Sequence, residues 1–273
     1  MTDAALDAVL RRDRAIVAAA LAVLTALASG YVWWLKADMD GMAGMDMTGF
    51  RMIPAGIGIM APAAAPWHRF EFVLMFAMWL TMMIGMMTPS ATPMILIYAR
   101  VGRQAIAQGK PFAATAWFVA GYLAVWAGFS LVATAAQWAL DRAALLDPMM
   151  TGASNVFGAI VLVAAGIYQW TPLKDICLGQ CQAPLIFIQR HGGFRNDVRS
   201  ALLLGLRHGA YCVGCCWTLM ALLFVGGVMN ILWIAAIAIL VLAEKVLPGG
   251  RLVSRLAGIG FITGGCLLLR SAT

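Results

Sequence analysis

FEFVLMFAMWLTMMIGMMTPSATPMILIY, residues 70–98, carries one charged side chain, Glu71, in 29 positions. Crossing roughly 30 Å of hydrocarbon takes about 20 apolar residues in a helix. Inside lipid the backbone has no water to bond with, so such a run must be helical. Similar runs recur near 15–35, 112–139, 153–171, 201–225, 228–246 and 253–270, which makes seven with this one. The run at 70–98 is longer than one straight span needs, and Pro89 and Pro93 are expected to break or kink it near its inner end.

Composition agrees. Hydrophobic residues make up 63% of the chain, charged residues 11%, and mean hydropathy is +0.87. A soluble fold could not hide that much apolar surface. The expected fold class is all-α: a polytopic membrane helix bundle of about seven transmembrane helices, one membrane domain over 1–273. Two longer polar stretches interrupt it, at 36–69 and 172–200.

Lys and Arg collect on the cytoplasmic side of membrane proteins. A cytoplasmic N-terminus places 14 of the 19 basic residues inside and 5 outside, so 36–69 becomes an extracytoplasmic loop and 172–200 a cytoplasmic one. The net charge of +7 is then a record of topology, and no soluble basic block with interleaved aromatics exists to bind nucleic acid. Arg11, Arg12 and Arg14 before an apolar run, with Ala26-Leu27-Ala28 following, also fit a cleaved signal peptide over 1–28. A retained helix is the preferred reading, because the run continues through Trp33 and Trp34, which suit an interfacial belt. The bacterial cytoplasmic membrane is the expected location.

Sulfur is sorted along the chain. Met39, Met42, Met45 and Met47 crowd the outer segment DMDGMAGMDMTG, between Asp38, Asp40 and Asp46. Thioethers need no deprotonation and form no disulfides, so they suit exchangeable Cu(I) capture in an oxidising compartment; the plainer reading is a flap packed on the membrane. Met75, Met78, Met82 and Met86 fall on a stripe of the next helix, with Met83 and Met87 beside it. They could relay the ion inward or simply fill the helix interface.

Cys177 and Cys181 stand four apart past the fourth run. On the fifth run, Cys212, Cys215 and Cys216 lie about 40°, −20° and 80° from His208 on a helical wheel, one face in all. The cytosol keeps thiols reduced, so clustered cysteines there read as metal ligands or redox groups before structural disulfides. Copper(I) fits best; zinc and iron–sulfur clusters are the lesser options. Cys266 alone in the last run reads as packing, as do the small-residue pairs Gly205/Gly209 and Gly260/Gly264. Glu71 at the outer boundary reads as a solvated charge, with a role in cation entry as the lesser option; Glu244 and Lys245 read as a charged pair ending the sixth run at the cytoplasmic face, and Gln137, Asn155 and Asn230 as bonds across helices or to turns.

The segments Gly85-Met86-Met87-Thr88-Pro89, Pro172-Leu173-Lys174 with Cys177 and Cys181, Cys212-x-Gly214-Cys215-Cys216-Trp217, Gly227-Val228-Met229-Asn230 and Glu244-Lys245 carry a family resemblance. Over roughly 70–250 the chain resembles the bacterial predicted metal-binding integral membrane proteins, whose members include membrane copper chaperones serving tyrosinase-type enzymes. Alanine is usual there where this chain has Gly85. The resemblance implies metal binding, copper delivery and a copper-dependent enzyme or second chaperone as partner. The outer methionine segment lies outside it.

The preferred reading is a membrane Cu(I)-binding protein, not an enzyme, that captures copper at Met39, Met42, Met45 and Met47. It would hold or pass the ion on through Cys177, Cys181, Cys212, Cys215 and Cys216, with His208 as a possible ligand. No P-loop appears, and the loops are too short for a pump domain. Two alternatives stay open. A thiol–disulfide oxidoreductase would want a second cysteine pair outside, and the outer loops have none. An accessory subunit of a larger metal-containing membrane complex would want inward histidines, and only His208 qualifies beside His68 and His191.

Overall fold

A computed structural model of the chain describes residues 3–41, 49–56, 58–63, 65–109, 113–147, 150–193 and 197–272. The elements run α1 (Asp3–Gly41), β1 (Phe50–Met52), β2 (Met60–Pro62), α2 (Arg69–Ala107), α3 (Thr115–Arg142), α4 (Asn155–Tyr168) and α5 (Pro172–Gln182). They continue with α6 (Pro184–Arg190), α7 (Val198–Ala221), α8 (Leu223–Gly226), α9 (Ile231–Val246) and α10 (Gly250–Ala272). The fold is all-α apart from the β1–β2 hairpin, which pairs antiparallel with Arg51 opposite Ala61.

Among the described residues five helical stretches are long and apolar enough to cross a membrane: Val17–Gly41, Arg69–Ala105, Thr115–Arg142, Val198–Gly226 and Gly250–Ser271. The other two runs expected from sequence form shorter helices, α4 of 14 residues and α9 of 16. At 1.5 Å per residue each reaches only about 21–24 Å, short of a roughly 30 Å hydrocarbon layer. Backbone punctuation shortens them. Asn230 caps α9 by accepting from the Trp233 N–H, just after Gly227 turns the chain at φ 95°. α4 ends at Tyr168, and α5 leaves it with a bend of 66°. The Thr171 hydroxyl starts α5 by accepting from the Lys174 N–H, with Pro172 in the first helical position. Counting the bent pair as one broken span makes six.

α2 remains one helix of 39 residues through both prolines, so the expected break does not occur. Proline leaves a helix carbonyl without its donor. Pro89 and Pro93 each remove one such donor, from the carbonyls of Gly85 and Pro89, and the helix stays continuous around both losses; the hydroxyls nearby bond other carbonyls of these turns, Thr88 to Ile84 O, Ser90 to Met87 O, Thr92 to Thr88 O, and Tyr122 from α3 to Met87 O at 3.2 Å.

Two close helix crossings organise the bundle. On α3 and α7, a Cβ at Gly121 would overlap the Leu202 carbonyl, and one at Gly205 would overlap the Phe118 carbonyl. Gly209 faces Val125 at the same crossing. Its packing role is thus as expected, and Gly121 completes the seam. On α10 the glycines that matter are Gly258 and Gly265, which meet Gly166 O and Ala159 O of α4; Gly260 and Gly264 face open space, contrary to expectation. At 100° per residue positions 260 and 264 lie about 200° and 240° around the helix from Gly258, on the far face. Cys266 likewise is exposed, not packed.

Glu71 is also not solvated. It is buried and takes the Arg51 guanidinium at 2.6 and 3.0 Å, while Arg51 also donates to the carbonyls of Pro62, Ala63 and Ala65. The hydrogen bond to Glu71 holds the Arg51 guanidinium above its ordinary pKa. This pair clamps the hairpin onto the N-terminal end of α2. Gln137 bridges helices as expected, accepting from Trp79 Nε1 at 2.6 Å. Asn155 is exposed, and Ser154 is the cap of α4.

Leucine at Gly205 must push α3 away from α7, whereas leucine at Gly260 meets nothing. We expect G205L to cost about 1–3 kcal/mol or more and G260L to leave stability unchanged. Melting curves of the detergent-purified variants check this, and equal melting temperatures would refute the seam.

Candidate metal centre

The two cysteine clusters meet. α5 folds back along α7, and Cys177 Sγ packs so closely that a Cβ on Gly214 would sit 2.8 Å from it. Gly214 is the cradle that lets this thiol approach. One turn on, Cys181 comes close enough to the Cys215 thiol to interact with it electrostatically. On α7, Cys215 Sγ and Cys216 Sγ donate to the Cys212 carbonyl at 3.1 and 2.9 Å. Cys177, Cys212, Cys215 and Cys216 are buried and Cys181 is partly so, and all are free thiols. Tyr168 OH donates to the Gly214 carbonyl and ties α4 to the same turn.

The 172–200 stretch is therefore no plain loop. α5 and α6 occupy Pro172–Arg190, and Lys174, Cys177, Leu178, Phe187 and Ile188 are buried. A buried ion pair holds α5 in place. Lys174 Nζ lies 2.7 Å from Glu244 Oε2 of α9, with the two side chains 0% and 1% exposed. Gln169 donates to the other carboxylate oxygen at 3.0 Å, and Ser254 of α10 donates to Gln169 Oε1 at 3.0 Å. Gln182, at the far end of α5, donates to the Glu244 carbonyl at 2.7 Å. Glu244 is thus a four-helix fastener paired with Lys174, where the sequence suggested a charged pair with its neighbour Lys245.

Lys245 is buried as well. Its Nζ donates to Cys212 Sγ at 2.9 Å and to Ser90 Oγ at 3.1 Å. Tyr122 OH lies 3.3 Å from the same sulfur. Lys245, Ser90 and Tyr122 were not legible as site residues. The signal available was two adjacent ionisable side chains closing an apolar run, where a helix-end reading is the ordinary one.

His208 sits on the cysteine face of α7 as the wheel requires, 3% exposed. The rings of Phe187, Tyr122 and Phe118 surround it, at centroid distances of 5.4, 5.7 and 6.0 Å. Its Nδ1 is buried without a hydrogen-bond partner. Buried nitrogens are nearly always paired, so this lone pair is one a soft or borderline metal could use.

The methionines divide. Met42, Met45 and Met47 lie outside the described residues. Met39 belongs to the last turn of α1, buried, and lines a cavity of about 500 Å³ together with Trp33, Thr151, Met229 and Asn230. It is therefore not part of an exposed loop. Met75, Met78, Met82, Met83, Met86 and Met87 are all buried. Met82 and Met86 line a second cavity of about 330 Å³ between α1, α2 and α9. Met75 is engaged otherwise, its sulfur accepting from Gln137 Nε2 at 3.6 Å.

Among the described residues no group of three or more His, Cys, Asp or Glu is already arranged around one point for a metal ion. The geometry gives the reason: Cys215 and Cys216 turn their thiols back onto the helix carbonyl. The donor set nonetheless fits a soft ion, with five sulfurs from two helices, a cradle at Gly214 and an unpaired imidazole nitrogen.

Breaking a buried pair leaves an uncompensated charge and costs about 3–5 kcal/mol, whereas replacing both members is often neutral. E244Q should therefore lower the melting temperature sharply, and K174M/E244Q should recover most of the loss. A double variant as unstable as the single would show that the Lys174 charge is not the cause.

Comparison with curated proteins and with solved structures found no match. Comparison with protein families matches residues 76–268 to PpoB2, described as copper chaperone. That span takes in every cysteine, and of the methionines named above it leaves out Met39, Met42, Met45, Met47 and Met75. The family is one of chaperones, not enzymes. On a match over more than half its length, the chain belongs to the PpoB2 copper chaperone family.

Proposed function

We propose that the protein is a Cu(I)-binding chaperone of the bacterial cytoplasmic membrane, with copper as its cargo. Copper is taken up at the outer end, where Met39, Met42, Met45 and Met47 supply thioethers, and is held by Cys177, Cys181, Cys212, Cys215 and Cys216 near the inner end. The observation that carries this reading is the approach of α5 thiols to α7 thiols in a buried place, beside an imidazole nitrogen without a partner.

The chemistry follows from the donors. Cu(I) prefers thiolate and thioether sulfur, and thiolate binds more tightly than thioether. An ion moving from methionine to cysteine therefore goes downhill. Ligation requires Cys215 and Cys216 to give up their bonds to the Cys212 carbonyl and rotate toward α5, and each ligating thiol releases its proton. His208 can add its Nδ1. Met82 and Met86, which line the cavity between α1, α2 and α9, suit transient contacts, and Met229 suits them at the Met39 cavity; Met75 suits them less, since Gln137 occupies its sulfur. The receiver is a copper-dependent enzyme or a further chaperone.

Seven crossings with a cytoplasmic N-terminus suit the alternation of the helices, with α4 and α9 as the short ones. Setting aside the buried Lys174, Lys245 and Arg51 leaves twelve basic residues inside and four outside, the same sign of bias.

Anaerobic Cu(I) loading of detergent-purified protein, followed by competition with a chelator, tests the inner site. C212S/C215S/C216S should lose affinity by about tenfold or more, each tenfold being about 1.4 kcal/mol. Unchanged copper stoichiometry in the triple variant would sink the reading. A second test concerns the outer end. Leucine at Met39, Met42, Met45 and Met47 should slow copper loading of membrane-embedded protein at limiting copper and leave full capacity at excess. Equal loading curves across the titration would make those sulfurs incidental.

A further inference from the structure

Lys245 carries a charge that no carboxylate among the described residues balances. The adjacent Glu244 is taken by Lys174, Gln169 and, through its carbonyl, Gln182. Among the described residues Lys245 has no acidic partner. Its Nζ has Cys212 Sγ at 2.9 Å and Ser90 Oγ at 3.1 Å, and its electrostatic neighbours are the sulfurs of Cys212, Cys215, Cys216 and Cys181. An ammonium is thus enclosed by the thiols proposed to hold copper. Burying a net charge is costly, and the cost falls when an opposite charge is buried beside it.

We propose that Lys245 is the counter-cation of the metal–thiolate unit and thereby a determinant of specificity for a monovalent ion. The proposal rests on the Cu(I) reading of the cysteine site. Two thiolates and one Cu(I) make an anion of charge −1, with both thiol protons lost to solvent. The Lys245 ammonium brings the buried unit to neutrality. A divalent ion of the same preference, such as Hg(II), also takes two thiolates in line, and that unit is already neutral. Beside Lys245 it becomes a buried net cation. The lysine therefore favours the monovalent ion over a divalent one of like geometry and softness. Ser90 contributes an uncharged oxygen, which orients the ammonium without cancelling it. A carboxylate there would cancel it.

The test measures affinities of purified full-length protein for Cu(I) and for Hg(II), each by competition with a thiol ligand of known affinity. K245M should weaken Cu(I) by about tenfold or more and leave Hg(II) within about threefold, a charge effect of the kind that buried ion pairs show. K245R should retain both affinities, since it keeps the charge. S90D should reproduce the K245M pattern with the lysine still in place, and serves if K245M does not fold. Equal loss for both ions in K245M and S90D would assign Lys245 a packing role and overturn the proposal. So would no loss for either ion. Wild-type protein that holds no Cu(I) would instead bring down the site reading itself, a result separable from both.

Discussion

The Lys174–Glu244 pair fixes where α5 can be. Both side chains are buried, so α5 cannot leave the bundle without exposing one charge to lipid or to an apolar core. Gln169, Gln182 and Ser254 tie the same carboxylate region to the end of α4, the end of α5 and α10. With α5 held there, Cys177 faces Gly214 and Cys181 faces Cys215. The convergence of sulfur is a consequence of an ion pair that contains none.

The two neighbouring ionisable residues of α9 then have different work. Glu244 closes a neutral structural pair. Lys245, one residue on, points to Cys212 and Ser90. Successive helix positions are 100° apart, so one turn can hold α5 with one side chain and present a cation to the thiols with the next. The close α3–α7 crossing serves the same place from the other side. Glycines at 121, 205 and 209 bring α3 near enough for Tyr122 to reach Cys212 and the Met87 carbonyl.

Much of this was legible. Apolar runs gave the helical class and nearly all helix positions, because lipid leaves the backbone no other choice. The cysteine face of α7 followed from helical periodicity alone, and it is buried as that face should be. The number of full spans was harder. Asn230 and Gly227 trim α9, and Thr171-Pro172 starts a new helix, which are turn and cap effects that hydropathy averages away. Pro89 and Pro93 do not end α2, since each removes a single backbone donor and the helix continues on both sides. Glu71 was placed in solvent, and Glu244 with Lys245 as one charged pair, because a charge at the edge of an apolar run has two solutions, water or a buried partner. The partners, Arg51, Lys174 and Cys212, are 20, 70 and 33 residues away in sequence. Met39 shows the same limit: the loop was expected to begin before it, and α1 carries it inward instead.

The central claim is that sulfur from α5 and sulfur from α7 hold one copper ion. X-ray absorption at the copper edge of anaerobically Cu(I)-loaded protein reads that ion's nearest atoms directly. A first shell made of sulfur, altered when Cys177 and Cys181 of α5 are both serine, is the predicted result. A shell of oxygen and nitrogen, or a sulfur shell indifferent to the α5 cysteines, would contradict it.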